Sequence, residues 1–424
     1  MKRRFVAACF VSVAAAVGVP ALRARRGAAA AESPAAREAR ILERDLVFYW
    51  NRVHADPLGA ADRSHLAALY LRRARATGSF PDLRRAEQLA RESLRLRTAR
   101  NTNTYVQLAS ALLGQHRFAE AEGVAHALVA ADPSPGHEAL LGEIALELGD
   151  YDSATVRFDS LWRGGAGRDL SVAPRLARWL EITGRGEAAR RVLAAALAAA
   201  RGRPDLPREQ VAWFWLRVGD LALRQGRLSD AEDAFHAGLV VFPPDYRLLG
   251  AQARLAALRG RWRDAADAGE RAIAVLPDPA TLGLLSDAYA ALGDTARSES
   301  LAKALETVVR GQPGAWHRAW SLFLLDHDRR VGEVLTKVRE ELRTRRDVYG
   351  YDLLAWALHK QGRDAEARAA MAWALAQGTR DAMLDFHAAE IARALGDRCA
   401  AERYAVATRA ANPAFQPTHP SIVP

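Results

Sequence analysis

Glycines recur along this chain on a fixed beat. Gly149, Gly184, Gly226, Gly260, Gly293, Gly362 and Gly396 each follow a small residue by seven positions: Gly142, Ala177, Gly219, Ala253, Ser286, Ala355 and Ala389. Each also precedes another by five: Ala154, Ala189, Ala231, Ala265, Ser298, Ala367 and Ala401. The glycines are spaced 35, 42, 34, 33, 69 and 34 residues apart, where 69 is two periods with His327 at the middle position and 42 is one period plus an insertion. A period near 34 residues is one supersecondary unit, too small to bury both its faces alone. The chain must therefore stack its units around a continuous core.

The stretch 212–245 shows what one unit is. Trp215, Val218, Gly219 and Ala222 recur at i, i+3, i+4 and i+7, one face of a first helix that Gly226 ends. Ala231, Phe235 and Gly238 repeat the helical spacing on a second helix, and Pro243-Pro244 prevents its continuation. Gly219 and Ala231 let the two backbones approach, while Trp215 and Phe235 fill the space toward neighbouring units.

In this register the residues resemble the tetratricopeptide repeat family. Leu141-Gly142, Gly149-Asp150-Tyr151, Ala154 and Phe158 carry the pattern in one unit; Tyr351, Leu354, Ala355, Leu358, Gly362, Ala367, Met371 and Ala374 carry it in another. Pro133, Pro243, Pro277 and Pro413 stand at the closing position. The resemblance covers about four-fifths of the chain, with units near 63–98, 102–134, 135–169, 170–203, 212–245, 246–278, 279–312, 313–347, 348–381 and 382–415. It implies an all-α, right-handed superhelical solenoid of about ten helix-turn-helix units, in the manner of an exported bacterial-type tetratricopeptide protein. Units one to four occupy 63–203 and units five to ten 212–415, with 204–211 an inserted loop where two subdomains could part. Residues 35–55 read as a capping helix for the open end, with Leu42, Leu46, Tyr49, Trp50 and Val53 on one stripe, and 416–424 as a mobile Pro-rich tail.

Residues 1–31 have the layout of a secretory signal: Lys2, Arg3 and Arg4, an apolar run from Phe5 to Leu22, then Ala28 to Ala31. Arg23, Arg25 and Arg26 just beyond the run leave a retained signal anchor as the alternative to cleavage. Either way the body is expected outside the cytoplasm, periplasmic or extracellular, with membrane contact only through a retained leader. The net charge of +10 owes six positive charges to this leader, which contains no acid. The remaining 54 basic and 50 acidic residues are interspersed, which argues against a phosphate-tracking surface and so against nucleic acid as a partner. The two cysteines, Cys9 and Cys399, make neither a disulfide framework nor a Cys-rich metal site.

Nothing in the repeats announces catalysis. Gly184-Arg185-Gly186-Glu187-Ala188-Ala189 satisfies a dinucleotide fingerprint as a string, but it coincides with an inter-helix turn and follows no strand. No metal-ligand spacing, nucleophile elbow or cofactor motif appears, so no enzyme activity, metal or cofactor is expected.

The family resemblance implies that the first helix of each unit lines a concave wall that receives a protein or peptide segment. By helical phase that wall should carry Arg175, Arg178, Trp213, Asp220, Arg247 and Arg254, with Asp287, His317, Asp352, Trp356, His359, Phe386, Glu390 and Arg393 further along. Arginines converging on a groove clamp carboxylates, so an acidic partner suits them. The expected function is a protein-interaction scaffold of the cell envelope; the alternatives are a small-ligand receptor or enzyme using the groove, or a structural assembly subunit.

Overall fold

The computed structural model describes residues 32–311 and 318–416, and among them the regular structure is 21 α-helices and one short 3-10 turn, with no strand. The leader, His317 and the end of the Pro-rich tail lie outside the described residues. Helix α1 (Pro34–Ala55) starts at Ser33, whose hydroxyl accepts the Ala36 N–H, and Pro34 occupies the first turn. Leu42, Leu46 and Val53 bury its inner stripe.

Ten helical hairpins follow. They are α2 (Ala60–Thr77) with α3 (Phe80–Leu96), α4 (Thr102–Gly114) with α5 (Phe118–Ala131), and α6 (Pro135–Leu148) with α7 (Tyr151–Arg163). Next come α8 (Ala173–Ile182) with α9 (Gly186–Arg201), α10 (Arg208–Arg224) with α11 (Leu228–Val241), and α12 (Tyr246–Leu258) with α13 (Trp262–Val275). The rest are α14 (Pro279–Ala291) with α15 (Thr295–Arg310), α16 (Arg318–Asp326) with α17 (Val331–Glu341), α18 (Val348–His359) with α19 (Asp364–Leu375), and α20 (Ala382–Ala394) with α21 (Arg398–Ala411). The stack runs on across the loop before α10, because Arg217 and Arg224 of α10 both reach Glu181 of α8.

The register glycines end the first helix of their hairpins in the left-handed region, with φ between 67° and 83°. Two hairpins without such a glycine place another residue there: His116 (φ 58°) after α4 and Asp328 (φ 51°) after α16. His327, which the spacing put at the glycine position, is one residue early. It still belongs to the helical ladder, its N–H donating to the Phe323 carbonyl.

Within a hairpin the small residues do what their spacing implies. A Cβ on Gly219 would overlap the Phe235 ring, and one on Gly142 would overlap Phe158. Both phenylalanines are fully buried. Phe235→Ala is expected to cost about 3–5 kcal/mol through lost transfer energy and the cavity left against Gly219. A fall in the urea midpoint at constant slope would register it.

The hairpins coil tightly enough for successive superhelical turns to touch, and the contacts repeat every five hairpins. The turn after α6 packs on the segment between α17 and α18, where the Arg346 N–H donates to the Leu148 carbonyl at 2.9 Å. Behind α8, the Thr379 hydroxyl donates to the Ile182 carbonyl at 2.5 Å. Behind α10, the Asn412 amide reaches the Leu223 carbonyl, and behind α12 the Gln416 amide reaches the Leu258 carbonyl, both at 3.2 Å. Each acceptor is among the last carbonyls of a helix, groups that have no partner within the helix itself. The next turn of the superhelix thus satisfies them. One winding therefore spans about five hairpins.

Candidate functional site

The first helices of the hairpins line the inside. On α10 the stripe Trp213, Arg217, Asp220 and Arg224 follows a spacing of four, three and four, which keeps one face inward. On α8 the same phase presents Arg175, Arg178 and Glu181, and on α12 Arg247 and Arg254.

These residues lace one helix to the next. Arg175 reaches back to Glu143 of α6 at 2.7 Å, Arg217 and Arg224 to Glu181, and Arg254 to Asp220 at 2.7 Å. Arg247 holds Asp245 at 2.6 Å and reaches Glu209 at 3.4 Å. The side chains of Arg175, Arg178, Arg217, Arg224, Arg247 and Arg254 all keep between 19% and 29% exposure. They are enclosed by neighbouring turns and still wet. Such ion pairs in a confined, low-dielectric space are stronger than pairs on an open surface, yet each also carries a desolvation cost.

Glu181 shows the balance. Burial works to raise its pKa, and Arg224, Arg217 and Arg178 overcome that and hold the carboxyl below its ordinary range. Burial alone would lower the pKa of Arg178; Tyr349, Glu181 and Glu147 reverse this and stabilise its charge. The Tyr349 ring lies between two guanidinium groups, Arg178 at 5.1 Å and Arg318 at 4.8 Å from its centroid. Burial holds the Tyr349 hydroxyl protonated well above its usual range.

Toward the C-terminal end the wall is filled rather than open. Asp352 is fully buried, bound by His387 at 2.7 Å and Arg318 at 3.1 Å. Trp356, assigned by helical phase to the groove, is 6% exposed. Its ring stacks on His387 at 4.1 Å and its indole N–H donates to Asp326 at 3.1 Å. Neighbouring helices fill the space on this face of α18, so Trp356 belongs to the core. Burial pushes the Asp326 pKa to about 6 despite His387 and Trp356.

Of the remaining assigned residues Trp213 shares the α10 stripe, and the others lie apart from the arginine row. Trp213 packs edge-on to Phe214, His359 binds Asp364 at 2.6 Å, and Phe386 contacts both Trp356 and Phe415. Arg393 is exposed and pairs with Glu390 on its own helix, and Asp287 binds His327 at 2.9 Å. Helical phase alone missed Arg217, Arg224, Glu181, Arg318 and Tyr349. The first two continue the Trp213–Asp220 stripe and were accessible from it; Arg318 and Tyr349 come together with Arg178 only through the winding.

Where the windings meet, a cavity of about 500 Å³ opens beside this cluster. Glu181, Arg185, Arg224, Arg227, Tyr349 and Arg380 line it. The Arg227 Nε is buried without a hydrogen-bond partner. Among the described residues no three His, Cys, Asp or Glu side chains gather in a way that could hold a metal ion, and no helix is long and apolar enough to cross a membrane.

No protein-family model matches the chain, and no curated protein matches it. Solved structures show similar helical arrays. A human IFIT1 dimer with PPP-AAAA is 13% identical and covers 86% of this chain and 94% of its own, at a TM-score of 0.44. The Cut9–Hcn1 hetero-tetramer of APC/C is 12% identical over 91% of this chain and 94% of its own, at 0.36. A tetratricopeptide repeat protein from Parabacteroides merdae is 14% identical over 58% of this chain and 96% of its own, at 0.39. Such low identities set no correspondence between individual residues. The chain's own register of small residues and left-handed turn glycines, carried by ten consecutive antiparallel hairpins among the described residues, makes it an all-α helical-hairpin solenoid, a fold similar to that of tetratricopeptide repeat proteins.

Proposed function

We propose that this protein is an exported, non-catalytic scaffold of the cell envelope that binds an acidic segment of a partner protein along its inner wall. One observation carries this: six arginines stand in a row on α8, α10 and α12, each occupied by a carboxylate of the same wall and each still partly in contact with solvent. A partner bringing its own carboxylates can exchange with Glu181 or Asp220 without stripping a guanidinium of its counter-charge, so the desolvation cost is already met in the free protein. The leader, with its basic start and apolar run, supports the envelope location.

The test is capture from envelope extract by the full chain and by an Arg178→Ala, Arg254→Ala variant. Trp356 is left intact because it belongs to the core. The parent is expected to retain a partner that the variant loses by roughly tenfold or more, with the interaction weakening as salt rises. Capture indifferent to both arginines would sink the inner-wall proposal.

The cavity between windings favours a second use, as a receptor for a small anionic ligand held by Arg185, Arg227 and Arg380. A thermal shift with small carboxylates or phosphates that disappears in Arg380→Ala would select that use.

A further inference from the structure

The N-terminal end of the stack has a groove that the inner wall does not involve. Helices α1 and α3 flank α2 and leave between them an open space of about 660 Å³. Val53, Leu66, Tyr70 and Leu89 give it an apolar surface, with Trp50 and Arg85 on its rims. Exposed apolar side chains continue beside it: on α1 Val47 is 61% and Trp50 48% exposed, and Leu58, in the turn after the helix, is 78% exposed. Large exposed apolar side chains gathered beside an open groove mark a place where something docks.

The local charge says what kind of partner. Residues 32–100 hold 14 arginines against nine acids, a surplus of five, although the chain beyond the leader is close to neutral as a whole. The groove's own carboxylate, Glu92, is already engaged by Arg63 at 3.4 Å and by the Gln88 amide at 3.0 Å. Arg85 is held more loosely, its guanidinium 5.6 Å from the centroid of the Tyr70 ring. Its nearest acid, Asp82, lies 3.8 Å away and is bound by Arg73 at 2.7 and 2.8 Å. Arg95, one helical turn past Glu92, is exposed on the same stripe.

We propose that the groove between α1 and α3 docks an acidic amphipathic helix of a partner protein. A helix laid there would put an i, i+3, i+4, i+7 apolar face against Trp50 and Leu89, over a floor whose Leu66 and Tyr70 are already buried, and direct its flanking carboxylates to Arg85 and Arg95. Trp50 supplies a large, partly exposed aromatic anchor of the type that dominates such interfaces. A nucleic-acid strand fits less well, because its phosphates would need a track of free basic groups where the floor is apolar.

The test uses the full chain and a fluorescein-labelled helical peptide of about 18 residues, some 27 Å long, with leucines on one face and glutamates on the others. A twin carries lysine for every glutamate, and an oligo-dT strand serves as the second probe. The acidic peptide is expected to bind at least tenfold more tightly than its lysine twin and than oligo-dT. Arg85→Glu and Trp50→Ala, both on exposed rims, are each expected to weaken it roughly tenfold at unchanged helix content. Arg393→Glu at the far end and the Arg178→Ala, Arg254→Ala wall variant should leave it unchanged, which separates this groove from the inner wall. Equal binding of the twin, tighter binding of oligo-dT, or no binding of the acidic peptide overturns the proposal. Self-association abolished by Trp50→Ala would overturn it too, in favour of a second copy of this chain as the occupant.

Discussion

Replacing Gly149 and Gly184 together by alanine is expected to part the windings while leaving the hairpins folded. Both glycines have left-handed backbones, φ +82° and +72°, where a Cβ costs about 1–2 kcal/mol by itself. The larger effect is steric. A Cβ at Gly149 would overlap the backbone carbonyl of Arg346, and one at Gly184 the carbonyl of Gly378. Neither clash can be relieved by rotating a side chain, so the neighbouring winding has to move. With it go the Arg346 and Thr379 hydrogen bonds, the Tyr151 hydroxyl that accepts the Val348 N–H at 2.7 Å, and the Arg345–Glu147 pair at 2.8 Å. At about 1 kcal/mol for each hydrogen bond, together with the backbone strain, the double variant should lose roughly 5–7 kcal/mol. Gly362→Ala is the control: its φ is +71°, yet a Cβ there meets nothing within 4 Å, so it should cost only the strain. Small-angle scattering is expected to show a larger radius of gyration for the double variant and none for the control, with helical circular dichroism preserved in both. An unchanged radius in the double variant would mean that the contacts between windings do not set the coil.

The hairpins were legible in the sequence because what makes them is local. A small residue, a turn glycine seven positions on and another small residue five beyond specify two helices and their close approach without reference to the rest of the chain. Even the exceptions follow the same geometry, since His116 and Asp328 take the left-handed position where glycine is missing. The winding was not legible. It accumulates from a small rotation at every hairpin, and no periodicity in residue type records that angle. Its only written traces are isolated donors such as Thr379 and Asn412, which look like ordinary loop residues until the carbonyls of Ile182 and Leu223 lie opposite them. The inner wall was half legible for the same reason. Helical phase gives the inward direction of Arg178, Arg254 and Trp356. Whether that direction meets water or another helix depends on the coil, and Trp356 meets His387. The basic N-terminal end was hidden by averaging, because the surplus of five at 32–100 accounts for the whole of the small net charge beyond the leader and is diluted over a chain of otherwise balanced charge.

Asp385→Asn is expected to stabilise the protein at pH 8 and to change little at pH 4. Asp385 lies one turn into α20 at 9% exposure. Burial raises its pKa from 3.8 to about 7, and the carboxylate of Asp381, four residues before it, adds to this against the weaker pull of Arg380. Asp381 itself is committed, since it caps the helix by accepting the Met383 N–H and receives the Tyr349 hydroxyl. The sign follows from linkage: a carboxyl whose pKa is higher in the folded state binds its proton more tightly there than in the unfolded chain. Its contribution to stability is complete below about pH 4 and is lost as pH rises through about 7. Asp326, at about 6, acts in the same direction over a slightly lower window. Glu181 and Asp352 oppose both, because their pKa values are held low and they cease to stabilise as acid protonates them. Stability should therefore peak near pH 5 and decline toward 8, and removing the Asp385 charge should recover up to roughly 3–4 kcal/mol of that decline. Asp385 follows the Thr379 seam contact by only six residues, so the same ionisation loads the junction between windings. Amide exchange at 378–382 in the parent is expected to quicken between pH 6 and 8 beyond the intrinsic base-catalysed rate, and Asp385→Asn should remove that excess. A flat stability profile in the parent, or an Asn variant no more stable at pH 8, would show that Asp385 is ionised without cost.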